Sequence, residues 1–228
     1  PEGSKIITAD YSQIELRIIA EVSQEPEFIK IYKNNGDLHR KTASMVLGKP
    51  EKDITKEERQ QAKAINFGFA YGLGAKSFKQ KAKNDYGIDI PEDEATEIRS
   101  KFFDSYPVLN YYLKSIGLKA AQDQQIVNKA GRIVRFENGL ASWSYENMGK
   151  NTPIQSLSAD ITKTAMGNLY IVLKPYNVKL INTVHDELVF EVKDEYVEIC
   201  KKIIDDTMVA SAQKYITSIP SPVEVSVS

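Results

Sequence analysis

Two aspartates, Asp10 and Asp186, stand near opposite ends of the sequence, each at the end of a predicted strand. Asp10 follows the short apolar run Lys5–Ala9, and Asp186 lies between two β-rich runs. If these strands share one sheet, the two carboxylates can lie together and hold Mg²⁺, a hard cation that takes oxygen ligands and keeps positions open for phosphate. Taken singly, each has a plainer explanation, because an aspartate also caps helices and makes turns.

A second group of residues suited to chemistry lies between Arg59 and Gly72. Every fourth position there is a cation or an aromatic ring: Arg59, Lys63, Phe67 and Tyr71. That spacing places the four side chains on one face of a helix over about 18 Å, so a polyphosphate could lie against the cations and a sugar or base against the rings. Thr55 and Glu58 fit a capping box that would begin this helix. The alternative is a solvated basic face that continues into a buried aromatic face.

The third group is His185-Asp186-Glu187, which connects the runs Val178–Val184 and Leu188–Val192. Three ionisable side chains are more than a tight hairpin connection needs, so a functional tip is one interpretation. A polar turn with a charged rim explains the same residues without any function.

The composition excludes several kinds of site. Thirty basic residues against thirty-one acidic ones give a net charge of -1, so any nucleic-acid surface must be local. One cysteine, Cys200, excludes an internal disulfide, and with only two histidines the chain is too poor in ligands for the common zinc sites. No apolar run approaches about 20 residues and no signal peptide opens the chain, which predicts an intracellular protein that is neither secreted nor membrane-bound.

The elements that must position these residues change character along the chain. Strand patterns occur at both ends and helical patterns fill the middle, so the sequence predicts an α+β protein whose small antiparallel sheet has a helical insertion. The predicted later elements are a helix after Pro91 (92–106), a helix that begins with Pro107 (107–124), a hairpin (126–136), a helix that begins with Pro153 (153–173) and a last strand (223–227).

Three segments closely resemble motifs A, B and C of family A DNA polymerases, the group of bacterial DNA polymerase I. They are Asp-Tyr-Ser-Gln-Ile-Glu-Leu-Arg at 10–17, Arg-x3-Lys-x3-Phe-Gly-x2-Tyr-Gly at 59–72 and Val-His-Asp-Glu at 184–187. Their order and spacing match, and the resemblance covers nearly the whole chain. It implies a polymerase right-hand fold without thumb and exonuclease domains, with the palm in residues 1–30 and 136–228 and a large helical fingers insertion at 31–135.

The resemblance implies that the protein is a template-directed DNA polymerase with a two-metal site. Asp10, Asp186 and the carbonyl of Tyr11 would bind two Mg²⁺ ions, and Glu187 would be a less essential third acid. One ion would lower the pKa of the primer 3′-hydroxyl for its attack on the α-phosphorus, and the other would stabilise the pyrophosphate leaving group.

The same resemblance assigns the nucleotide and DNA contacts. Arg59 and Lys63 would hold the triphosphate of the incoming nucleotide with help from His39, and Lys63 would also protonate pyrophosphate. The other nucleotide contacts that it implies are Phe67 at the sugar, Tyr71 at the nascent base pair, Glu15 as a steric gate against a ribose 2′-hydroxyl, and Gln13. The DNA contacts that it implies are Asn151, Gln155, His185 and Arg132.

One departure from the family pattern concerns the grip on DNA. Asn147 stands where the family usually has an arginine that contacts the primer-template, which predicts binding weaker by about 1–3 kcal/mol. The implied partners are primer-template DNA and dNTPs, together with a thumb or exonuclease region from a longer parent chain or a separate subunit. Two alternatives stay open: a non-catalytic nucleic-acid-binding fragment, and a single-subunit RNA polymerase, which Glu15 and Phe67 disfavour.

Overall fold

The computed structural model describes residues Gly3–Ser228. The strands are β1 (Ser4–Tyr11), β2 (Gln125–Val127), β3 (Ile133–Arg135), β4 (Lys179–Val184), β5 (Glu187–Lys193) and β6 (Val223–Val227). The α-helices are α1 (Ile14–Ser23), α2 (Pro26–Lys33), α3 (Leu38–Leu47), α4 (Lys56–Phe69), α5 (Ala75–Tyr86), α6 (Glu92–Ser105), α7 (Pro107–Asp123), α8 (Ser142–Val172) and α9 (Val197–Gln213). None of the helices within these described residues has the length and apolar character that a membrane span requires.

The chain divides into two compact units. The first comprises the residues up to Ile18, Val127–Arg132 and Pro153–Ser228, and the second comprises Ile19–Ile126 and Ile133–Thr152. The first unit contains a four-stranded antiparallel sheet, and the second is largely helical. Strands β2 and β3 form a short two-stranded sheet at the predicted hairpin. The predicted α+β class, a small antiparallel sheet with a helical insertion, is therefore confirmed.

The four-stranded sheet has the strand order β4-β5-β1-β6. Buried and partly exposed residues alternate along β5, so Leu188, Phe190 and Val192 share the buried face. Helix α9 packs against β1, β5 and β6 and buries Ile204 and Met208 completely. Because β1 and β5 are neighbours, the sheet brings together the first and third of the motifs found in the sequence.

Aromatic rings fill the centre of the helical unit. The ring centroid of Phe69 in α4 lies 4.3 Å from that of Phe78 in α5 and 5.6 Å from that of Phe102 in α6. Phe102 also packs edge-on against Tyr106, at 4.9 Å. Helix α4 contacts α3 as well as α5. This packing fixes the helix that carries the predicted stripe of cations and rings.

Helix α8 begins earlier than the sequence predicted. We expected Pro153 to open a helix, but α8 starts at Ser142 and contains Pro153 in its interior. The turns before the proline pack closely on α7, because a Cβ added to Gly149 would overlap the Cβ of Ala120. This tertiary packing outweighs the loss of the one backbone hydrogen bond that the proline cannot donate.

Helix α4 ends before the last member of the predicted stripe. Its final residue is Phe69, so Tyr71 lies beyond the helix. Gly72 has a φ of +78°, and the backbone N–H groups of Gly72 and Leu73 donate back into the last turn as a Schellman cap. Glycine suits this conformation because it has no Cβ. The stripe on the helix itself therefore consists of Arg59, Lys63 and Phe67.

Candidate active site

The ladder between β1 and β5 places the predicted acidic residues at one end of the sheet. Asp10 is the cross-strand partner of Glu187. Val184 and Glu187 pair as the ends of β4 and β5, so His185 and Asp186 form a two-residue turn between them. Asp186 therefore lies next to the residue that faces Asp10, and the sheet brings the two aspartates to the same edge.

Negative charge accumulates around Asp10. Partial burial and the charges of Asp186, Glu187 and Glu224 raise the pKa of Asp10 to about 6. Burial also raises the pKa of Asp186, although a backbone hydrogen bond and His185 act in the opposite direction. Carboxylates that have lost solvation and repel one another gain stability from a cation, so the charge pattern fits a divalent metal ion.

Side chains alone would make only part of such a metal site. Among residues 3–228, no group of three or more His, Cys, Asp and Glu side chains is arranged to hold a metal ion. Asp10 and Asp186 could supply two carboxylate ligands, and the other positions would be filled by backbone, water or substrate oxygens. That division suits magnesium, which is usually bound through one or two carboxylates and keeps open positions for phosphate.

Two buried side chains fix the turn from β1 to α1. The Tyr11 hydroxyl donates to the carbonyl oxygen of Met208 at 2.7 Å. Arg17, only 8% exposed, donates from Nε to the carbonyl of Ser12 and from Nη1 to that of Pro220, each at 2.7 Å. We predicted no role for Arg17, and its place at the end of the first motif was the signal available. These bonds hold the end of β1, where the first carboxylate lies.

Both turns next to the predicted carboxylates contain a residue in the left-handed backbone conformation. Gln13, between β1 and α1, has a φ of 53°, and His185, in the turn between β4 and β5, has a φ of 56°. That conformation costs a non-glycine residue about 1–2 kcal/mol. The surrounding structure must therefore impose it at both positions.

Helix α4 begins at the predicted capping box. The Thr55 hydroxyl accepts a hydrogen bond from the Glu58 N–H at 3.1 Å, and the Glu58 carboxylate accepts one from the Thr55 N–H at 2.9 Å. One turn into the helix, Arg59 Nε donates to Asp37 Oδ2 at 2.5 Å. Partial burial raises the pKa of Asp37, but the hydrogen bonds from Arg59 and from the Arg40 N–H outweigh it and hold this pKa below its ordinary value. We did not predict Asp37 as a site residue.

His39 is buried, with 2% of its surface exposed. Its Nδ1 accepts a hydrogen bond from Asn66 Nδ2 at 2.9 Å, and Asn66 Oδ1 accepts one from the Thr42 hydroxyl at 2.9 Å. Burial lowers the pKa of His39 to about 4, with the positive charges of Arg59 and Lys63 adding to the effect and Asp37 opposing it. The ring is therefore neutral at pH 7 and carries its proton on Nε2, so it can donate one hydrogen bond to a ligand but supplies no charge.

The other predicted nucleotide contacts lie on α1 and near the end of α4. Glu15 is in the first turn of α1 and is partly exposed. The ring centroids of Phe67 and His39 are 5.9 Å apart. Lys63 is also partly exposed and forms no hydrogen bond or ion pair with the residues that the structure describes. Its ammonium group is thus available to an anionic ligand.

Some of the predicted DNA contacts already form hydrogen bonds within the protein. Asn151 and Gln155 lie four residues apart on α8, and Asn151 Nδ2 donates to the carbonyl of Asn147 at 2.8 Å. Arg132 donates from Nε to both carboxylate oxygens of Asp160, at 2.9 and 3.0 Å, and from Nη2 to one of them. The guanidinium of Arg132 is thus held by a protein carboxylate, a contact that the sequence did not predict.

Known proteins resemble this chain along most or all of its length. The family model described as DNA polymerase family A matches residues 1–228. DNA polymerase I of Aquifex aeolicus is 37% identical over 225 residues, which are 98% of this chain and 38% of that protein. DNA polymerase I of Caldicellulosiruptor bescii is 39% identical over 221 residues, 91% of this chain and 25% of that protein.

A solved structure is also similar. It is described as the POL domain of Pol1 from M. smegmatis in complex with DNA primer-template and dNTP. The TM-score is 0.88 at 30% sequence identity, over 100% of this chain and 40% of that one. The chain therefore spans less than half the length of each of these proteins.

Proposed function

Because the chain belongs to DNA polymerase family A, we propose that it forms the nucleotidyl-transfer site of a template-directed DNA polymerase. The reaction would add a deoxynucleotide to the 3′-hydroxyl of a primer. The observation that carries this proposal is the meeting of Asp10 with Asp186 and Glu187 at one end of the sheet, where burial and mutual repulsion raise the pKa of Asp10.

Asp10, Asp186 and the carbonyl of Tyr11 would hold magnesium, two ions in the family pattern. When bound, magnesium would supply activation of the primer hydroxyl and neutralisation of charge on the departing pyrophosphate. The residues must be ionised for this role, and at neutral pH Asp10 is ionised because its pKa of about 6 lies below the working pH. Glu187, the ladder partner of Asp10, would add negative potential to the same place.

The cationic face of α4 would bind the triphosphate of the incoming dNTP. Arg59 and Lys63 lie about one turn apart on α4. The N-terminus of α4, which lies close to Arg59, also favours anions because of the helix dipole. Lys63 would protonate the pyrophosphate as it leaves. His39, neutral and buried, would contribute at most one N–H from Nε2.

The remaining residues would select the nucleotide and hold the DNA. Phe67 would face the sugar, and Tyr71 would face the nascent base pair. Glu15 would block a ribose 2′-hydroxyl, and Gln13, two residues earlier, would also contact the nucleotide. Asn151, Gln155, His185 and Arg132 would contact the primer-template, and Arg132 would have to share or exchange Asp160 to do so. The partners would then be primer-template DNA and dNTPs, in the cytoplasm or another compartment that contains DNA.

The proposed steric gate makes a separate prediction. Replacing Glu15 by alanine should raise ribonucleotide incorporation, because the space next to the sugar would no longer exclude the 2′-hydroxyl. The measurement is the ratio of kcat/KM for an rNTP to that for the matching dNTP. An unchanged ratio would count against Glu15 as the gate.

The experiment that tests the proposed function is single-nucleotide extension of a labelled primer-template. Template-directed dNTP addition should require Mg²⁺ and should vanish in Asp186→Ala, because one of two metal-binding carboxylates is lost. Asp194→Ala, which removes an exposed aspartate eight residues along the chain, is the matched control and should retain activity. Binding of primer-template without magnesium-dependent addition would instead identify a non-catalytic nucleic-acid-binding fragment.

A further inference from the structure

The carboxylate of Asp37 links the start of helix α3 to the first cation of α4. One oxygen, Oδ1, caps α3 by accepting hydrogen bonds from the backbone N–H groups of His39 at 2.9 Å and Arg40 at 3.1 Å. The other oxygen, Oδ2, accepts the hydrogen bond from Arg59 Nε at 2.5 Å. Because the cap fixes its orientation, this carboxylate is a rigid acceptor for Arg59.

The hydrogen bond occupies one particular edge of the Arg59 guanidinium. Nε is taken by Asp37, whereas Nη1 and Nη2 have no hydrogen-bond partner among the residues that the structure describes. The Arg59 side chain is 35% exposed. Two parallel N–H groups at the end of a guanidinium match the oxygens of a phosphate, and they bind it best when the plane of the group is fixed in advance.

We propose that Asp37 is a positioning residue, which orients Arg59 so that Nη1 and Nη2 face the triphosphate of the incoming nucleotide. The proposal rests on the proposed function of Arg59. Two effects of Asp37 oppose each other, since its negative charge weakens the attraction of Arg59 for an anion while its hydrogen bond removes rotamer freedom from a long side chain. The pair is partly exposed, so solvent screens the charge effect, and orientation dominates.

The test is the binding of dTTP with Mg²⁺, measured by titration calorimetry, which needs no turnover. Asp37→Asn and Asp37→Ser remove the charge but keep a side chain that caps a helix, so α3 should retain its start. Both variants should weaken the Kd for dTTP by about tenfold, the scale expected for the loss of a charge-assisted hydrogen bond. In an Arg59→Ala background the same substitutions should cause no further change, because Asp37 acts only through Arg59.

The control variant is Lys49→Ala, which removes the ion pair between Lys49 and Glu58 at the start of α4 without touching Arg59. Its Kd for dTTP should equal that of the wild type. A merely structural role of Asp37 would weaken binding equally with and without Arg59, and that result would overturn the proposal. Tighter binding of dTTP by Asp37→Asn would overturn it too, since the charge effect would then dominate.

If Arg59 does not bind the triphosphate, the same Kd measurements give a different result. If Arg59→Ala itself leaves the Kd for dTTP unchanged, Arg59 does not bind the triphosphate, and both the proposed role of Arg59 and the positioning role of Asp37 are wrong. If Arg59→Ala weakens binding while both Asp37 variants do not, only the positioning role is wrong.

Discussion

Asp10 lies where its surroundings disfavour its ionised form. It is the next-to-last residue of β1 in the first unit and pairs with Glu187 across the ladder, with the charges of Asp186 and Glu224 adding to the repulsion. These surroundings raise its pKa from 3.8 to about 6. A bound cation would reverse the unfavourable interaction, so the same arrangement that weakens the metal-free fold would strengthen metal binding.

A stability measurement follows from the raised pKa of Asp10. Since the folded-state pKa lies above the unfolded value, the folded protein binds more protons between pH 3.8 and about 6, and its stability falls as pH rises through that window. Asp10→Asn removes the ionisation. Without metal, the variant should melt at a higher temperature than the wild type at pH 8, and the difference should shrink as pH is lowered towards 4.

The control for this prediction is Glu137→Gln, which removes an exposed carboxylate from a loop. The difference in melting temperature between this variant and the wild type should not change with pH to a comparable extent. Added Mg²⁺ should raise the melting temperature of the wild type but not that of Asp10→Asn. A variant that melts below the wild type at pH 8 in EDTA would show that Asp10 stabilises the metal-free fold, contrary to our expectation.

His185 allows the backbone and the side chain of the hairpin turn to be tested separately. Its φ of 56° favours glycine, so His185→Gly should be more stable than His185→Ala by about 1 kcal/mol. Both variants lose the imidazole, so any weakening of primer-template binding should be the same in the two. The measurements are urea unfolding and the Kd for primer-template DNA, and unequal Kd values would show that the turn conformation itself affects binding.

At the scale of elements, α4 is positioned by close contacts on two sides. Asp37 and Asn66 connect it to α3 by hydrogen bonds, and Phe69 connects it to the ring of Phe78 in α5. Gly68 permits the approach of α5, because an added Cβ would lie 2.7 Å from Phe78 Cδ2. The cationic face of α4 thus depends on packing at the opposite side of the helix.

Gly68→Ala tests that packing. Phe78 is 3% exposed and lies in the aromatic cluster, so its ring has little room to move, and the substitution should destabilise the protein by about 1–3 kcal/mol. Gly167→Ala in α8 is the matched control, since an added Cβ there meets no atom within 4 Å, and it should stabilise by about 0.5–1 kcal/mol. Urea unfolding measures both changes in stability. If Gly68→Ala leaves the free energy of unfolding unchanged, the Phe78 ring can move to make room for the added methyl group.

For the molecule as a whole, the chain corresponds to less than half the length of its relatives. It spans 38% of DNA polymerase I from Aquifex aeolicus and 40% of the similar M. smegmatis polymerase chain. Its net charge of -1 gives no general attraction for DNA, so the proposed affinity for primer-template would come from local contacts. Removing such contacts should therefore weaken the binding of primer-template more than the binding of a nucleotide.

A chimera would measure how much affinity the rest of a relative supplies. If this chain replaces the matching region of the Aquifex aeolicus polymerase, the Kd for primer-template should be at least about tenfold tighter than that of the chain alone, because further phosphate contacts are added. The Kd for dNTP should change little. Equal DNA affinity for the chimera and the isolated chain would show that the rest of the Aquifex aeolicus polymerase adds no binding energy for the duplex.

The local features of this protein can be predicted from its amino-acid sequence. Three kinds of local feature depend on residues within a few positions of one another. They are the strand ends near Asp10 and Asp186, the capping box of Thr55 and Glu58, and the stripe that begins at Arg59. Such features follow from backbone geometry and side-chain periodicity, which a single segment contains. The motifs also identified the family, because their order along the chain is itself part of the sequence.

Contacts between residues that are far apart along the chain could not be predicted from the sequence and are seen only in the folded structure. The ladder that sets Asp10 opposite Glu187, the hydrogen bond from Arg59 to Asp37 and the pairing of Arg132 with Asp160 each join residues far apart in sequence. The burial of His39, and of Pro153 within α8, also depends on what packs around each residue. Local propensity cannot specify these contacts, since they form only when several elements bury their apolar faces together.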